Sequence, residues 1–307
     1  MKEKGETRPS MEEILVILNP AARSDKAKKT WQKIEAFPGC RLRMTGARGD
    51  AKAEAERGVE EGFRYVVAAG GDGTVNEVVN GIAGTGVALG ILPVGTMNVL
   101  ASELGIPSDL DAAWSVIRGG YTRKIDLARA NQRYFIQLAG VGLDAQVVEE
   151  TSAEFKRNFG PLSYVISAAQ IALRKPPRLV VEVDGEQQEG SFVLIGNGRY
   201  YGGPFVVFKD ARIDDGLLDV LIFKNLGYLD IAKYLGTLLL GKHTELADVS
   251  YFQTRKLRVT SDEKVPVEVD GEVIGHLPVT LEISSRKMEV LVPNLGPPKE
   301  LLKWAAG

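Results

Sequence analysis

Hydrophobic positions follow two alternating patterns in the part of the chain that ends at Asp126. Short apolar runs rich in β-formers lie at 14–18, 42–45, 65–69 and 87–92, and apolar positions at helical spacing follow each of them. A short apolar run bounded by turn residues is typical of a buried strand, whereas apolar positions three and four residues apart are typical of one helix face. This alternation predicts a parallel sheet with helices on both faces, as in a Rossmann-like α/β domain.

Beyond Asp126 the pattern changes to many short β-rich runs. Asp-Gly and Gly-Gly pairs separate these runs, and such turns between alternating strands predict an antiparallel β-sandwich. The strands are predicted at 134–138, 179–183, 192–195, 217–223, 249–260, 265–269, 279–283 and 288–292. Helices are expected near 150–173 and 227–240. We therefore predict two domains, an α/β domain at 1–126 and a β-sandwich at 127–293.

Composition excludes several classes of protein and of site. The chain carries 38 Lys and Arg against 40 Asp and Glu, a net charge of −2 that gives no support for nucleic-acid binding. A single cysteine, Cys40, cannot form an intramolecular disulfide, and with only His243 and His276 it cannot build a Cys/His zinc site. The polar N-terminus does not match a signal peptide, and no apolar run is long enough to span a bilayer. We expect a cytoplasmic protein.

The stretch at 65–82 predicts a phosphate site. A buried-strand run is followed by the glycine-rich turn 70–74, and apolar positions at helical spacing begin at Val75. Thr74 and Glu77 have the spacing of a capping box, which predicts that the helix begins at Thr74. Free backbone N–H groups and the helix dipole favour an anion at such a turn. The turn matches neither the dinucleotide fingerprint nor a Walker A loop, and a turn without a ligand is the alternative interpretation.

Asp72 lies inside this turn and changes the expected chemistry. A carboxylate beside a bound phosphate is repelled unless a divalent cation lies between the two charges. We therefore expect Mg²⁺ to accompany the phosphate.

Two segments carry a resemblance to a known family. GGDGTVNEVVNGI at 70–82 and LGILPVGTMNVLASELGIP at 89–107 resemble the catalytic domain of the diacylglycerol kinase and sphingosine kinase superfamily, in particular the bacterial lipid kinases of the diacylglycerol kinase B and YegS type. The resemblance implies an NAD-kinase-like first domain, to which 294–307 returns as a helix at 299–306. It implies transfer of the γ-phosphoryl group of ATP, with Mg²⁺, to a lipid hydroxyl. It also implies a peripheral protein that meets its lipid at the inner face of the membrane, and it leaves a homodimer open.

The resemblance further implies a set of nucleotide-binding residues. The Asn-Pro pair at 19–20 stands where the family carries a loop beside the nucleotide, although an ordinary turn between strand and helix explains it as well. The loops after parallel strands meet at one edge of a sheet, so the whole set can line one crevice. The set consists of Asn19, Pro20, Ala21, Thr45, Gly70, Gly71, Asp72, Gly73, Thr74, Asn76, Glu77, Gly95, Thr96 and Asn98.

The hexapeptide VEVDGE occurs at 181–186 and again at 267–272. Asp-Gly between alternating strands predicts a β-hairpin, and for the first copy we expect nothing more. The second copy resembles the family's C-terminal signature, which supplies the catalytic base. The resemblance implies that Glu272 is the base and that Asp270 is metal-linked support, although the two roles could be reversed. Asp72, which would help hold Mg²⁺, is assigned to the catalytic site with them.

A third acidic stretch, at 210–217, resembles the loop in which the bacterial lipid kinases hold a structural Mg²⁺. The resemblance implies that the ligands are the Asp215 carboxylate and the backbone carbonyls of Arg212 and Leu217. It places Asp126 in an acidic network between the domains. Ligands that are all oxygen suit a hard cation such as Mg²⁺.

The lipid acceptor and its contacts stay open at this point. Diacylglycerol, giving phosphatidic acid, is the preferred acceptor, but Val99 replaces an Asp that is common in the family, so another glycerolipid, a sphingoid base or an isoprenoid-like alcohol remains open. Segments 155–159 and 171–175 mix bulky apolar and basic residues, which fits a membrane surface or equally an amphipathic core helix. The alternative functions are an NAD-kinase-like kinase of a polar acceptor and a non-catalytic nucleotide- or lipid-binding regulator.

Overall fold

The computed structural model describes residues 13–20, 25–143, 145–146, 176–203 and 205–294. The helices expected at 150–173 and 299–306, the membrane-surface segments at 155–159 and 171–175, and the nucleotide-binding assignment of Ala21 lie outside the described residues.

The first domain has the predicted alternation of strands and helices. Strands β1 (Ile14–Leu18), β2 (Arg41–Met44), β3 (Tyr65–Gly70) and β4 (Ala88–Pro93) pair in parallel in the order β2-β1-β3-β4. The helices are α1 (Asp25–Glu35), α2 (Asp50–Glu60), α3 (Asp72–Ile82), α4 (Val99–Glu103) and α5 (Leu110–Gly119). Every residue of β1, β3 and β4 is buried, as expected for parallel strands covered by helices on both faces. The Rossmann-like prediction is confirmed.

Two antiparallel layers follow this domain. The first continues the parallel sheet with β5 (Thr122–Ala130), β6 (Arg133–Phe135), β8 (Leu179–Val183), β9 (Glu186–Gly190), β15 (Lys256–Thr260) and β18 (Val279–Leu291). The second is a sheet of β14 (Val249–Thr254), β13 (Leu218–Phe223), β10 (Phe192–Gly196), β7 (Leu138–Val141), β16 (Pro266–Val269) and β17 (Glu272–His276), in that order. Side chains from both layers form one buried core, which includes Phe135, Val181, Val193, Val259 and Leu281. The predicted β-sandwich is confirmed.

A second apolar cluster lies on the outer face of the second sheet. The helix α6 (Tyr228–Leu239) packs there through Ile231, Tyr234 and Leu238, close to the helix expected at 227–240. A short 3-10 helix (His243–Glu245) follows it. Earlier in the chain, β11 (Tyr200–Tyr201) and β12 (Phe205–Val206) form a small hairpin. No helix among the described residues is both long and apolar enough to cross a bilayer.

Two strand predictions in the sandwich are wrong. The run 249–260 is two strands in different sheets, because β14 pairs with β13 whereas β15 pairs with β18 and β8. The chain turns at Arg255, where the Thr254 hydroxyl donates to the Lys256 carbonyl and accepts from the Lys256 N–H. The runs 279–283 and 288–292 form the single strand β18, in which an irregularity between Ile283 and Lys287 shifts the register.

Strand β18 connects the two parts of the molecule. Its first residues pair with β15 of the sandwich, and its Val290 pairs in parallel with Leu89 of β4. It also runs antiparallel to the whole of β5. The domain boundaries at 126 and 293 stay predictions, and so does the return of 294–307, of which all but the first residue lies outside the described residues.

Candidate active site

The helix after the glycine-rich turn begins earlier than the capping box predicts. Helix α3 begins at Asp72, with extended Gly71 as its N-cap, and the Val75 N–H donates to the Gly71 carbonyl at 3.1 Å. The predicted start at Thr74 is therefore wrong. The Thr74 hydroxyl instead accepts a hydrogen bond from the Asn19 amide at 3.1 Å. Asn19 and the glycine-rich turn at 70–74, which we call the phosphate turn after its predicted ligand, are thus joined at the ends of neighbouring strands.

Glu77, the other half of the predicted capping box, supports a different helix. Its carboxylate accepts hydrogen bonds from the N–H groups of Gly49 at 2.9 Å and Ala51 at 3.1 Å, at the start of α2. A carboxylate at a helix N-terminus satisfies N–H groups that have no partner within the helix. Glu77 therefore holds the loop after β2 against α3.

Two glycine loops touch beside the N-terminus of α3. A methyl group added to Gly95 would lie 2.4 Å from the Gly71 Cα, so only glycine permits this approach of the two backbones. Asn98 closes the second loop, because its side chain accepts from the Gly95 N–H at 3.0 Å and donates to the Gly95 carbonyl at 2.9 Å. Its backbone is left-handed, with φ 48°. The Asn98 side chain shapes this loop and has both of its ends engaged.

Asp72 links the same two loops. Its carboxylate accepts a hydrogen bond from the Val99 N–H at 2.7 Å, at the start of α4. Burial raises the pKa of the Asp72 carboxyl, and the backbone N–H donors around it oppose that rise. The backbone of Val99 therefore partners Asp72, whatever side chain the position carries.

A cleft of about 640 Å³ opens at this edge of the parallel sheet. Eight of the residues that the sequence assigns to the site line it: Asn19, Pro20, Thr45, Gly71, Gly73, Thr74, Glu77 and Glu272. The assigned residues Gly70, Asp72, Asn76, Gly95, Thr96, Asn98 and Asp270 are not part of its lining. The described structure thus brings the phosphate turn, the Asn-Pro loop and the second VEVDGE hairpin to one cleft.

Glu272 faces the phosphate turn from the opposite wall. A methyl group added to Gly73 would lie 4.0 Å from the Glu272 Oε1 atom. The Oε2 atom accepts a hydrogen bond from Arg133 at 2.8 Å and is 3.1 Å from the Arg48 guanidinium. The side chain is 17% exposed. Glu272 is thus oriented by two cations and still reached by solvent.

Asp270 has a different environment two residues earlier. Its two oxygens accept four hydrogen bonds, from the N–H groups of Ile136, Gln137 and Leu138 and from the Asn76 amide, at 2.7 to 3.1 Å. Burial raises the pKa of the carboxyl, while these donors favour its charged form. With two donors on each oxygen, Asp270 fastens the hairpin to β7 and α3.

The first VEVDGE copy has the same turn but none of these partners. Asp184 and Asp270 both have left-handed backbones, with φ of 51° and 47°. Asp184 and Glu186 are exposed at the β8–β9 turn. The two copies therefore differ in position within the molecule.

The residues assigned to a structural metal ion form a tight loop. The Asp215 carboxylate accepts from the Leu217 N–H at 3.0 Å, and the Asp215 N–H donates to the Arg212 carbonyl at 3.3 Å. Buried Asp126 accepts from the Gly216 N–H at 2.6 Å and lies 2.7 Å from the Lys287 ammonium. Across the part of the chain that the structure describes, no group of three or more His, Cys, Asp or Glu side chains could hold a metal ion.

Several residues of the cleft escaped the sequence analysis. Gly46, Ala47 and Arg48 line it beside Thr45, and Arg133 holds Glu272. The loop 46–49 is shaped by Asp50, which accepts from the N–H groups of Gly46 and Ala47 at 2.8 Å, and these bonds lower the pKa of Asp50. Their position directly after a β-strand of the parallel sheet was the available signal. No local signal distinguished Arg133 from other arginines.

Known proteins resemble the chain in both halves. The model of the diacylglycerol kinase catalytic domain matches residues 13–130, and that of the YegS C-terminal NAD kinase beta sandwich-like domain matches 138–292. Diacylglycerol kinases of Staphylococcus aureus strains JH9 and Newman are 35% identical to the chain over 251 residues, which is 80% of this chain and 80% of each relative.

Solved structures agree with the sequence relatives. The crystal structure of a diacylglycerol kinase from Bacillus anthracis strain Sterne has a TM-score of 0.76 and 26% identity, with 92% of this chain and 97% of that chain covered. A second structure from the same strain has a TM-score of 0.80 and 26% identity, with 95% and 98% covered. Together with the cleft between the phosphate turn and the Glu272 hairpin, these matches show that the chain belongs to the diacylglycerol kinase family of the YegS type and is a lipid kinase.

Proposed function

We propose that this lipid kinase transfers the γ-phosphoryl group of ATP to the hydroxyl of diacylglycerol, giving phosphatidic acid. The observation that carries the proposal is the position of Glu272, an oriented carboxylate that faces the phosphate turn across an open cleft. The relatives named diacylglycerol kinases support the choice of acceptor.

The phosphates of ATP would lie against the turn at Gly71–Thr74. The N-terminus of α3 presents backbone N–H groups and the positive end of the helix dipole there. Arg48 lies in the lining of the same cleft, where it pairs with Glu272 and adds a positive charge beside them. Because phosphoryl transfer depends mainly on positioning and charge neutralisation, these groups supply much of the required stabilisation.

In the transfer step the acceptor oxygen forms a bond to the γ-phosphorus while the bond to the β,γ-bridging oxygen breaks, and ADP leaves. Glu272 takes the proton of the acceptor hydroxyl through its Oε1 atom, the oxygen closer to the turn. A general base contributes on the order of 10²–10⁴ in rate. We assign Asp270 to positioning, because all four of its hydrogen-bond contacts are already made within the protein.

The donor set around Asp215 fits a hard cation, since its exposed carboxylate and the neighbouring carbonyls of Arg212 and Leu217 are oxygen ligands. Asp126 has partners on both oxygens, so we assign it to holding this loop. Mg²⁺ bound with ATP would neutralise the phosphate charge and polarise the γ-phosphoryl group. Asp72 lies within the phosphate turn and would orient that ion.

The test is transfer of labelled γ-phosphate from Mg-ATP to a panel of acceptors in mixed micelles: diacylglycerol, other glycerolipids, a sphingoid base and NAD. Labelled phosphatidic acid is expected, with turnover lowered about 10²-fold or more in Glu272→Gln. Glu186→Gln is the matched control, because it changes the same residue in the other VEVDGE copy, and it should retain most activity.

Three outcomes would contradict the proposal. NADP⁺ as the labelled product would favour a kinase of a polar acceptor. Tight ATP binding without transfer to any acceptor would favour a regulator. Equal losses in Glu272→Gln and Glu186→Gln would remove the base assignment.

A further inference from the structure

Helix α6 exposes an uninterrupted apolar face. Leu229, Leu239 and Leu240 are 85%, 73% and 74% exposed. We define the α6 stripe as the exposed residues Tyr228, Leu229, Ala232, Leu235, Gly236, Leu239 and Leu240. A surface helix normally turns charged and polar side chains to solvent. The α6 stripe has no charged side chain, so the face that α6 turns to solvent is apolar.

The charged residues of α6 are placed away from this face and are paired. Asp230 accepts from the Gly227 N–H at the helix start, and Lys233 forms ion pairs with Asp230 and Asp248. The opposite face packs on the second sheet, where the Tyr234 ring meets the Phe223 ring at 4.9 Å. The helix is therefore firmly seated, and the exposure of its leucines is a property of the folded protein.

Two further exposed apolar residues lie near the end of α6. The residue after the stripe, Gly241, lies beside the Lys209 side chain, and the His243 ring bonds to the Val207 carbonyl at 2.7 Å. Directly before Val207 lie Phe205 and Val206, which are 48% and 40% exposed. A contiguous exposed hydrophobic patch such as the α6 stripe marks an interaction surface.

The same hairpin reaches the catalytic loops. Gly203, two residues before Phe205, approaches so closely that a methyl group added to it would lie 3.3 Å from the Met97 sulfur. Met97 belongs to the loop at 95–98, whose Gly95 touches the phosphate turn. The hairpin that carries Phe205 and Val206 thus lies between the end of α6 and the loop at 95–98.

The composition of the stripe suits the interface of a bilayer. The helix of twelve residues is about 18 Å long. An interfacial helix inserts such an apolar face to the depth of the headgroups.

Lysines lie at both ends of the stripe. Lys209, Lys224 and Lys242 are exposed, and none of them forms an ion pair with the described residues. The exposed acidic neighbours Asp210 and Glu245 offset part of this charge. The remaining attraction favours anionic headgroups, in addition to the apolar contribution.

We propose that the α6 stripe, with Phe205 and Val206, docks on the surface of an anionic lipid bilayer and presents the cleft to a lipid acceptor. The proposal rests on the proposed function, because it is the lipid acceptor that requires the cleft to meet a bilayer. It adds α6 to the expected membrane contact, whose segments 155–159 and 171–175 lie outside the described residues.

The experiment uses the full chain and vesicles of phosphatidylcholine with or without phosphatidylglycerol. Leu239→Glu/Leu240→Glu should lower vesicle affinity in cosedimentation at least about tenfold, because two apolar side chains no longer enter the interface. Leu229→Glu, at the other end of the stripe, should weaken binding in the same direction. Gln187→Glu/Gln188→Glu adds the same charge on exposed strand β9 and should bind as the unchanged protein does.

Measurements of lipid transfer distinguish a loss of membrane docking from a loss of catalysis. Transfer to long-chain diacylglycerol in vesicles should fall with vesicle affinity in the stripe variants, whereas transfer to a short-chain diacylglycerol dissolved as monomers should stay within about twofold. Vesicle binding that is unchanged in both stripe variants overturns the proposal, and so does a dimer in solution that these substitutions dissociate while vesicle binding persists. Normal vesicle binding through the stripe without transfer to any lipid would instead overturn the proposed function alone.

Discussion

At the scale of single residues, Asp184 and Asp270 show which properties the local sequence predicts and which it does not. Both begin the same Asp-Gly turn with a left-handed backbone, as Asp-Gly in a two-residue hairpin requires. Asp184 is exposed, whereas Asp270 accepts four hydrogen bonds from other parts of the chain. The turn was therefore predictable from the hexapeptide, and the partners of Asp270 were not.

The variant Asp270→Asn should be destabilised by about 1–3 kcal/mol. An amide can present one oxygen to two of the present donors, but its NH₂ group must then face the other two donors. The measurement is the free energy of unfolding in urea, where Asp184→Asn is the matched control and should change stability by less than about 0.5 kcal/mol. Equal stability of the two variants would contradict the anchoring role of Asp270.

At the scale of secondary structure, Asp248 fastens α6 to the second sheet. It accepts hydrogen bonds from Lys233, Tyr234 at 2.7 Å and Asn225 at 3.1 Å. Burial works to raise the pKa of Asp248, but these donors outweigh burial and lower the pKa to about 2. The charged form of Asp248 is thus favoured by folding.

The sign of this shift gives a pH dependence. Because the pKa of Asp248 is lower in the folded state than its ordinary value of 3.8, the contribution to stability is present above about pH 4 and is lost as the pH falls toward 2. Asp248→Asn should lower stability at pH 6 by about 1 kcal/mol after allowance for solvent screening, and the difference from the unchanged protein should vanish near pH 2.

Urea unfolding at several pH values measures this difference. Asp111→Asn is the control, because it removes an ion pair with Lys33 that is largely exposed and should change stability little. A difference between Asp248→Asn and the unchanged protein that persists undiminished at pH 2 would rule out the assignment.

At the scale of the whole molecule, the active site depends on contacts between distant segments. The Asn76 amide on α3 donates to Asp270, which is 194 residues later in the chain, and its oxygen accepts from Arg133 at 3.1 Å. Arg133 in turn holds Glu272. Asn76 therefore sets the distance between the phosphate turn and the proposed base.

Asn76→Ala should lower kcat about 10- to 100-fold, because a small displacement of the base is costly in a transfer reaction. The KM for ATP should change by less than about threefold, since the phosphate turn itself is intact. Steady-state kinetics with the short-chain acceptor measure both values.

Asn80→Ala is the matched control for that variant. Asn80 lies one turn later on α3 and bonds to the backbone of Tyr134, at 3.1 Å to both its carbonyl and its N–H, and to the Asn76 side-chain oxygen at 3.1 Å, but not to the hairpin. A fall in kcat of the same size in both variants would show that general loosening of α3, and not the position of Glu272, causes the loss.

Much of the fold was predictable because its signals are local. The buried strands β1, β3 and β4 are continuous apolar runs, and the sandwich strands are separated by Asp-Gly and Gly-Gly turns. The errors at 249–260 and 279–292 have one cause: periodicity identifies strand residues but does not show which sheet they join. That choice depends on partners remote in sequence.

The sequence by itself determined the alternating first domain, the β-sandwich and, through the family resemblance, a kinase, and it predicted that the glycine turn holds phosphate and that Glu272 is the base. Only the tertiary structure decided that Glu77 supports α2, that Arg48 and Arg133 hold Glu272, and that α6 carries an apolar face to solvent. The physical reason is the distance along the chain over which each interaction acts. Backbone preferences and burial periods act between near neighbours in the chain, whereas hydrogen-bond partners and exposure are settled by segments that only folding brings together.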